Sequence, residues 1–298
     1  MATPCIGLIA DDLTGACDSA VAFLGGGAVR VGLWPWVPDG DLVCAAASTE
    51  SRAEPPAVAR ARTAEARARL GARLVYRKLD SMLRGNPIAD LEGAQADDRP
   101  VVVAPALPSE GRTTEGGIQR WAGGQADLRS LFPTVEVADA TSDGDLDAIA
   151  VRVLRRGDRV VAGSAGLASA LARALGLPSP PSGPRPCCAR PLAVVGTPAA
   201  ADQARVASRR GAVVMAGPGE VPDLGEADGL VVTGGETAAR LLRAHGGSGV
   251  ELLGEPLPRI PMGRVLGGRL AGMPIILKAG SFGPPDALLR ALEYLGRD

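Results

Sequence analysis

Two adjacent acids, Asp11 and Asp12, follow the short apolar run 5–10 and precede a helical pattern with Ala16, Ala20, Phe23 and Leu24 on one face. Open α/β sheets place their sites beyond the carboxyl ends of strands, where loops meet helix N-termini. Carboxylates there can hold a magnesium ion, take a proton from a hydroxyl or hydrogen-bond a polyol. The plainer alternative is that Asp12 or Thr14 caps the helix while Asp11 is solvated, with Gly25, Gly26 and Gly27 ending the helix. Asp18, on the next turn, can orient the loop.

A second cluster, KLDSMLRGN at 78–86, also lies at a strand end. It joins Lys78, Asp80, Ser81 and Arg84 to Asn86, the sole asparagine of the chain. Two cations with a hydroxyl and an amide suit a hydroxylated carboxylate: Arg84 can grip the carboxylate bidentately, and Asn86 can donate and accept. A solvated turn is the alternative. Of 32 basic residues only Lys78 and Lys278 are lysine. In a chain that uses arginine for bulk charge, as a GC-rich coding background would favour, retained lysines mark positions that need a compact ammonium, unless they survive by chance.

Glycine turns follow strands in the second half: Gly196-Thr197, Gly234-Gly235-Glu236-Thr237, and Ala279-Gly280 after Lys278. Glycine lets backbone approach phosphate closely, and a helix N-terminus supplies donors. Neither G-x-x-x-x-G-K-[ST] nor G-x-G-x-x-G is present, and ordinary tight turns would look the same. The small-residue turns at 105–114 and 163–168 bind anions or merely pack helix on sheet. The sole histidine, His245, ends a helical pattern, which excludes histidine triads and multi-histidine metal sites.

Positioning these loops are predicted strands at 29–33, 42–46, 73–77, 100–104 and 159–162, with helices at 56–70 and 143–155. The proline-rich stretch 177–191 reads as a linker. A second alternation follows: strand 192–195, helix 199–209, strands 212–216 and 229–232, helix 237–245, strands 250–253 and 274–278, and helix 285–295. The expected fold is two α/β domains with mostly parallel sheets and a substrate cleft between them, at 1–176 and 192–298. Five cysteines without C-x-x-C spacing indicate neither a disulfide framework nor a zinc site. A net charge of −1 gives no field for nucleic acid or an anionic membrane, and no apolar run nears the roughly 20 residues of a span. With no leader-like start, a cytoplasmic protein is expected; the oligomeric state stays open, a homodimer included.

Taken in order, IADDLTGACD, KLDSMLRGN, PALPSEGRTT, GSAGLA, TGGETA and ILKAGSFG resemble the four-carbon acid sugar kinase family, the tetronate kinases. The resemblance implies a sugar-acid-binding N-terminal domain and a nucleotide-binding C-terminal domain. It implies ATP-dependent phosphorylation of threonate, erythronate or 3-oxo-tetronates. It carries substrate contacts onto Asp11, Asp12, Lys78, Asp80, Ser81, Arg84 and Arg112, and ATP contacts onto Thr197, Gly234 to Thr237 and Gly280. In that reading Mg²⁺ bridges the phosphates, Lys278 or Lys78 offsets developing charge, and Asp12, ahead of Asp11, is the general base. The chain departs from the family pattern at Met82, usually threonine, and Cys17, usually asparagine, and it is shorter around 116–132 and at the linker. Two rivals stand: a binding protein that has lost turnover, and a magnesium-dependent phosphatase using Asp11 and Asp12, which lacks the D-x-D spacing of dehalogenase-type enzymes.

Overall fold

The computed structural model describes residues 5–95, 101–157, 160–209, 211–280 and 282–296. Pro100, Arg159 and Ser281, which belong to the expected strands and the last glycine turn, lie outside the described residues.

In the first half the order is β1 (Ile6–Ala10), α1 (Leu13–Ala20), β2 (Val29–Leu33), β3 (Cys44–Ser48), α2 (Pro56–Leu70), β4 (Leu74–Lys78) and α3 (Pro87–Ala94). Then come β5 (Val102–Ala104), β6 (Thr113–Glu115), β7 (Ile118–Trp121), β8 (Gly124–Asp127), α4 (Leu128–Leu131), β9 (Glu136–Val137), α5 (Asp143–Arg156), β10 (Val160–Gly163) and α6 (Ala165–Ala174). The second half holds β11 (Pro191–Val195), α7 (Ala201–Ala207), β12 (Ala212–Met215), β13 (Gly229–Thr233) and α8 (Gly235–Ala244). It closes with β14 (Gly249–Leu257), β15 (Ile260–Leu266), β16 (Pro274–Lys278) and α9 (Ala287–Leu295).

Local chemistry explains the boundaries. In α2, Pro56 starts the helix, Ala59, Thr63, Ala66 and Leu70 form its buried stripe, and Gly71 ends it at φ 57°. In α5, Ser142 and Asp145 make a reciprocal capping box, and Leu146, Ile149, Ala150 and Val153 face inward. The short stretch 113–127 forms a separate three-stranded antiparallel sheet, β6-β7-β8.

Both halves contribute to one 13-stranded sheet, ordered β12-β11-β13-β16-β15-β14-β2-β3-β1-β4-β10-β5-β9. Each half is parallel within itself, and the antiparallel hairpin β14–β15 joins them by pairing β14 with β2 and β15 with β16. The parallel strands of the two halves therefore run in opposite directions, and their carboxyl ends begin on opposite edges of the sheet. Twist brings those edges together. At roughly 20–25° per strand, the six steps from β1 to β13 accumulate on the order of 120–150°, and bulges in β14 around Gly254 add bending. One buried apolar cluster runs through both halves, from Leu8, Leu13 and Ala168 to Leu230, Ala238 and Leu277.

Each half places its reactive loops where the strand order reverses, the position at which doubly wound sheets bind ligands. In the first half these are the loops after β1 and β4, and in the second those after β11 and β13.

Candidate active site

Arg52, in the turn after β3, organises the first wall. Its Nε and Nη2 donate to Asp11 Oδ2 and Oδ1, each at 2.8 Å, and Nη1 donates to Asp12 Oδ2 at 2.8 Å. Nη2 also lies 3.8 Å from Asp80 Oδ2. One planar fork thus serves three carboxylates, a task a lysine could not perform. Burial alone would raise the Asp11 carboxyl, but the charge and hydrogen bonds of Arg52, with Arg77 and Lys78 behind it, hold it below its ordinary range. Asp80 behaves alike: against burial, Arg84, Arg52 and Lys78 hold its carboxyl well below the usual carboxylate range.

Asp12 caps α1 by accepting from Gly15 N–H at 2.8 Å and from Thr14 Oγ1 at 3.2 Å. Asp80 accepts from Met82 N–H at 2.9 Å and from Arg84 Nε and Nη2 at 3.1 and 2.6 Å. The Arg84 side chain remains 56% exposed toward the cleft. Lys78, almost fully buried, acts on Asp11, Asp18 and Asp80 at once. Burial raises the Asp18 carboxyl despite Lys78 nearby. Arg112 donates to Ser81 Oγ and stacks 5.2 Å from the Phe282 ring centroid, across the cleft.

The second wall is backbone. Gly234, at φ 91°, turns the chain into α8, and its N–H donates to Lys278 O at 3.0 Å. Gly196 packs so closely that a Cβ there would fall 1.8 Å from Thr237 Oγ1. Gly280 lies against Thr197. Lys278 is completely buried, and its Nζ donates to Ala279 O at 3.2 Å and Gly280 O at 2.6 Å. Burial pushes its amino group down to about 8, with Glu110 the acid opposing the shift.

The walls also meet where α1 and α8 begin. A Cβ on Gly235, the first residue of α8, would lie 2.5 Å from Asp12 Oδ2. The Asp12 carboxylate therefore sits at the N-termini of two helices, α1 and α8. Between the walls lies a cavity of about 240 Å³.

Of the residues expected at the site, Asp12, Lys78, Asp80, Ser81, Arg84 and Arg112 line this cavity from the first half, and Thr197, Gly234, Gly235 and Gly280 from the second. Asp11 stands behind them, linked through Arg52. Four residues are placed elsewhere. Asn86 Nδ2 is spent on Ser51 O and Glu54 O, fixing the loop that carries Arg52. The Glu236 side chain is 83% exposed and pairs with Arg240. Thr237 packs on Gly196, and Lys278 faces carbonyls of its own turn. Nothing in the sequence marks Arg52 among so many arginines, and Asp18, expected to orient its loop, lines the cavity. Among the described residues no group of three or more His, Cys, Asp or Glu is arranged to hold a metal ion.

A fold of two opposed α/β halves sets a charged wall facing glycine turns, an arrangement able to hold an anion at a helix N-terminus. Comparison with known proteins agrees. A family model described as a sugar-binding N-terminal domain matches residues 6–132, and one described as a nucleotide-binding C-terminal domain matches residues 192–288. The chain belongs to the four-carbon acid sugar kinase family. It is 29% identical to the D-threonate kinase of Bordetella bronchiseptica, over 99% of this chain and 98% of that one. That alignment is 411 positions long against 298 residues here, so the relative carries substantial sequence that this chain lacks. The D-erythronate kinase of Heliobacterium modesticaldum is 38% identical over 24% of this chain and 16% of its own length. Among solved structures, a domain of unknown function from Bordetella bronchiseptica, a domain-swapped dimer with bound citrate, is 26% identical with a TM-score of 0.51, covering 99% of this chain and all of that one. A Salmonella typhimurium protein described as a putative tRNA synthase shares the fold with a TM-score of 0.76 at 17% identity, over 96% of this chain and 98% of its own. No described helix is long and apolar enough to cross a membrane.

Proposed function

We propose that the protein is an ATP-dependent kinase that phosphorylates a hydroxyl of a four-carbon sugar acid of the threonate or erythronate type. The observation that carries this reading is the Asp12–Gly235 contact, which sets a carboxylate from the charged wall directly against the helix N-terminus of the glycine wall. In this reading residues 1–176 bind the acid, 177–191 connect, and 192–298 bind the nucleotide. The names of the D-threonate and D-erythronate kinases support the substrate class, and citrate in the Bordetella structure supports a site for a hydroxylated carboxylate. The swapped dimer of that relative supports a homodimer here.

The nucleotide phosphates lie along Gly196-Thr197, Gly234-Gly235 and Gly280, whose glycines, lacking side chains, let backbone come close, and are held at the α8 N-terminus. Arg84 and Arg112 take the substrate carboxylate, and Asp80 and Ser81 orient its hydroxyls. Asp12 accepts the proton as the hydroxyl oxygen bonds to the γ-phosphorus and the bond from that phosphorus to the β,γ-bridging oxygen breaks, releasing ADP. Magnesium in such sites is held mainly by phosphates and water with one or two carboxylates, which suits a cavity that Asp12, Asp18 and Asp80 line together with the glycine turns. When bound it neutralises charge on the phosphate oxygens. A coupled ADP-release assay over a panel of four-carbon acids tests the reading. Turnover with threonate or erythronate is expected; binding of acid and nucleotide without ADP release would instead identify a binding protein.

A further inference from the structure

The β14–β15 hairpin closes through Pro258 and Arg259, with Leu257 paired to Ile260. Arg259 has φ 59°. A turn with proline first and a positive φ second favours glycine at the second position, so an arginine there is held in a strained conformation. Such outliers persist where the side chain has work to do. This side chain leaves its own half: Nε and Nη2 donate to Ser109 Oγ at 3.2 and 3.0 Å.

Ser109 belongs to the short helical turn Pro108–Glu110, which leads through Gly111 to Arg112. One further side chain of this segment reaches the second half, where Arg112 stacks on Phe282, and the charge of Glu110 is felt at Lys278. The 108–112 segment thus meets the nucleotide half at two contacts, Ser109–Arg259 and Arg112–Phe282, while Arg112 also touches Ser81 in the cleft. Arg259, Ser109 and Asp18 border a second cavity of about 420 Å³ beside the first, so the 108–112 segment has space on one side into which it can swing.

We propose that Arg259 is a positioning residue: by holding Ser109 it fixes the 108–112 segment across the cleft, so that Arg112 is held toward the sugar acid by a contact that belongs to the nucleotide half. The inference rests on the kinase reading and adds a property to it, positive coupling between acid and nucleotide binding. Coupling of this kind is reciprocal. Without the tether Arg112 must be ordered when the acid binds, and that cost falls on acid affinity and not on the glycine turns.

The test is calorimetric titration of D-threonate into the full chain with and without a non-hydrolysable ATP analogue. In the wild type the analogue should tighten threonate binding by about 10-fold, within the usual range of coupling between sites. Arg259→Gly, which suits the positive φ, should keep or raise the melting temperature while the coupling falls to within about 2-fold and the threonate KM rises about 10-fold with little change in kcat. Ser109→Ala should reproduce this, and Arg259→Lys, which still offers a donor, should retain part of the coupling. Wild-type coupling in Arg259→Gly would overturn the proposal, as would a coupling loss accompanied by a fall in melting temperature. Wild-type binding of both ligands without coupling overturns this proposal alone; binding of neither overturns the kinase reading as well.

Discussion

Lys78 and Lys278 each end a parallel strand at the carboxyl edge of its own half, and their surroundings are opposite. Lys78 acts on three carboxylates. Lys278 is fully buried against two carbonyl groups, with Glu110 the acid acting on it. The first wall is therefore a lattice of charges in which Arg52 and Arg84 hold acids and Lys78 acts on three of them, whereas the second is backbone braced by one desolvated ammonium. An acid with several hydroxyls needs directional side chains to be told from its stereoisomers. Polyphosphate needs only donors and close approach.

The Asp12–Gly235 contact between the walls is the place to break that contrast. Asp12→Asn keeps the side-chain oxygen that caps α1 and removes the proposed proton acceptor. Turnover should fall at least ~100-fold, the usual scale for a general base, with nucleotide affinity changed by less than about 3-fold, as equilibrium binding and steady-state kinetics would read. An equal loss of nucleotide binding would put Asp12 on the backbone wall instead. A smaller effect is expected from Gly235→Ala, whose methyl would fall 2.5 Å from Asp12 Oδ2 and 2.8 Å from Cγ. Either α8 or the carboxylate must shift. A displacement approaching 1 Å should cost about 10-fold in kcat/KM, with the melting temperature nearly unchanged. Wild-type kinetics would mean that the two walls are not in register during catalysis.

How much of this was legible follows from the same contrast. Strand 274–278 and helix 56–70 have the bounds expected of them, because apolar runs and proline or glycine punctuation fix them locally. Helix α8 starts two residues before its expected position, since Gly234 at φ 91° serves as its N-cap. The charged wall could be read as residue types clustered after strands, but its organiser Arg52 could not, because its partners Asp11, Asp12 and Asp80 lie 28 to 41 positions away in the chain. Asn86 and Lys278 show the complementary limit: sequence places a residue at a strand or helix end without saying which way its side chain turns. Joining of the halves in one sheet was invisible too, because strand pairing across β14 and β2 depends on twist and register between distant segments.

The smallest expected effect sharpens the contrast between the lysines. The Lys278 amino group protonates near 10.5 when unfolded and at about 8 when folded. Between those values the unfolded chain binds more protons, so stability from this group rises with pH across the window, and the full cost of burying the charge is present below pH 8. That cost is on the order of 3 kcal/mol. Lys278→Met removes it but forfeits two hydrogen bonds to carbonyls, worth about 1 kcal/mol each. Near pH 7 the variant should be more stable by ~1 kcal/mol, with the advantage shrinking as pH rises and reversing by about pH 10, where the wild-type ammonium has shed its charge. Urea unfolding of both proteins across that range measures the difference directly. A gap that does not change with pH would mean that Lys278 carries no buried charge, and a large destabilisation near pH 7 would mean that it is paired like Lys78. In the variant the Gly280 turn also loses its brace, so kcat/KM for ATP should fall while KM for the sugar acid, set on the other wall, stays near its wild-type value.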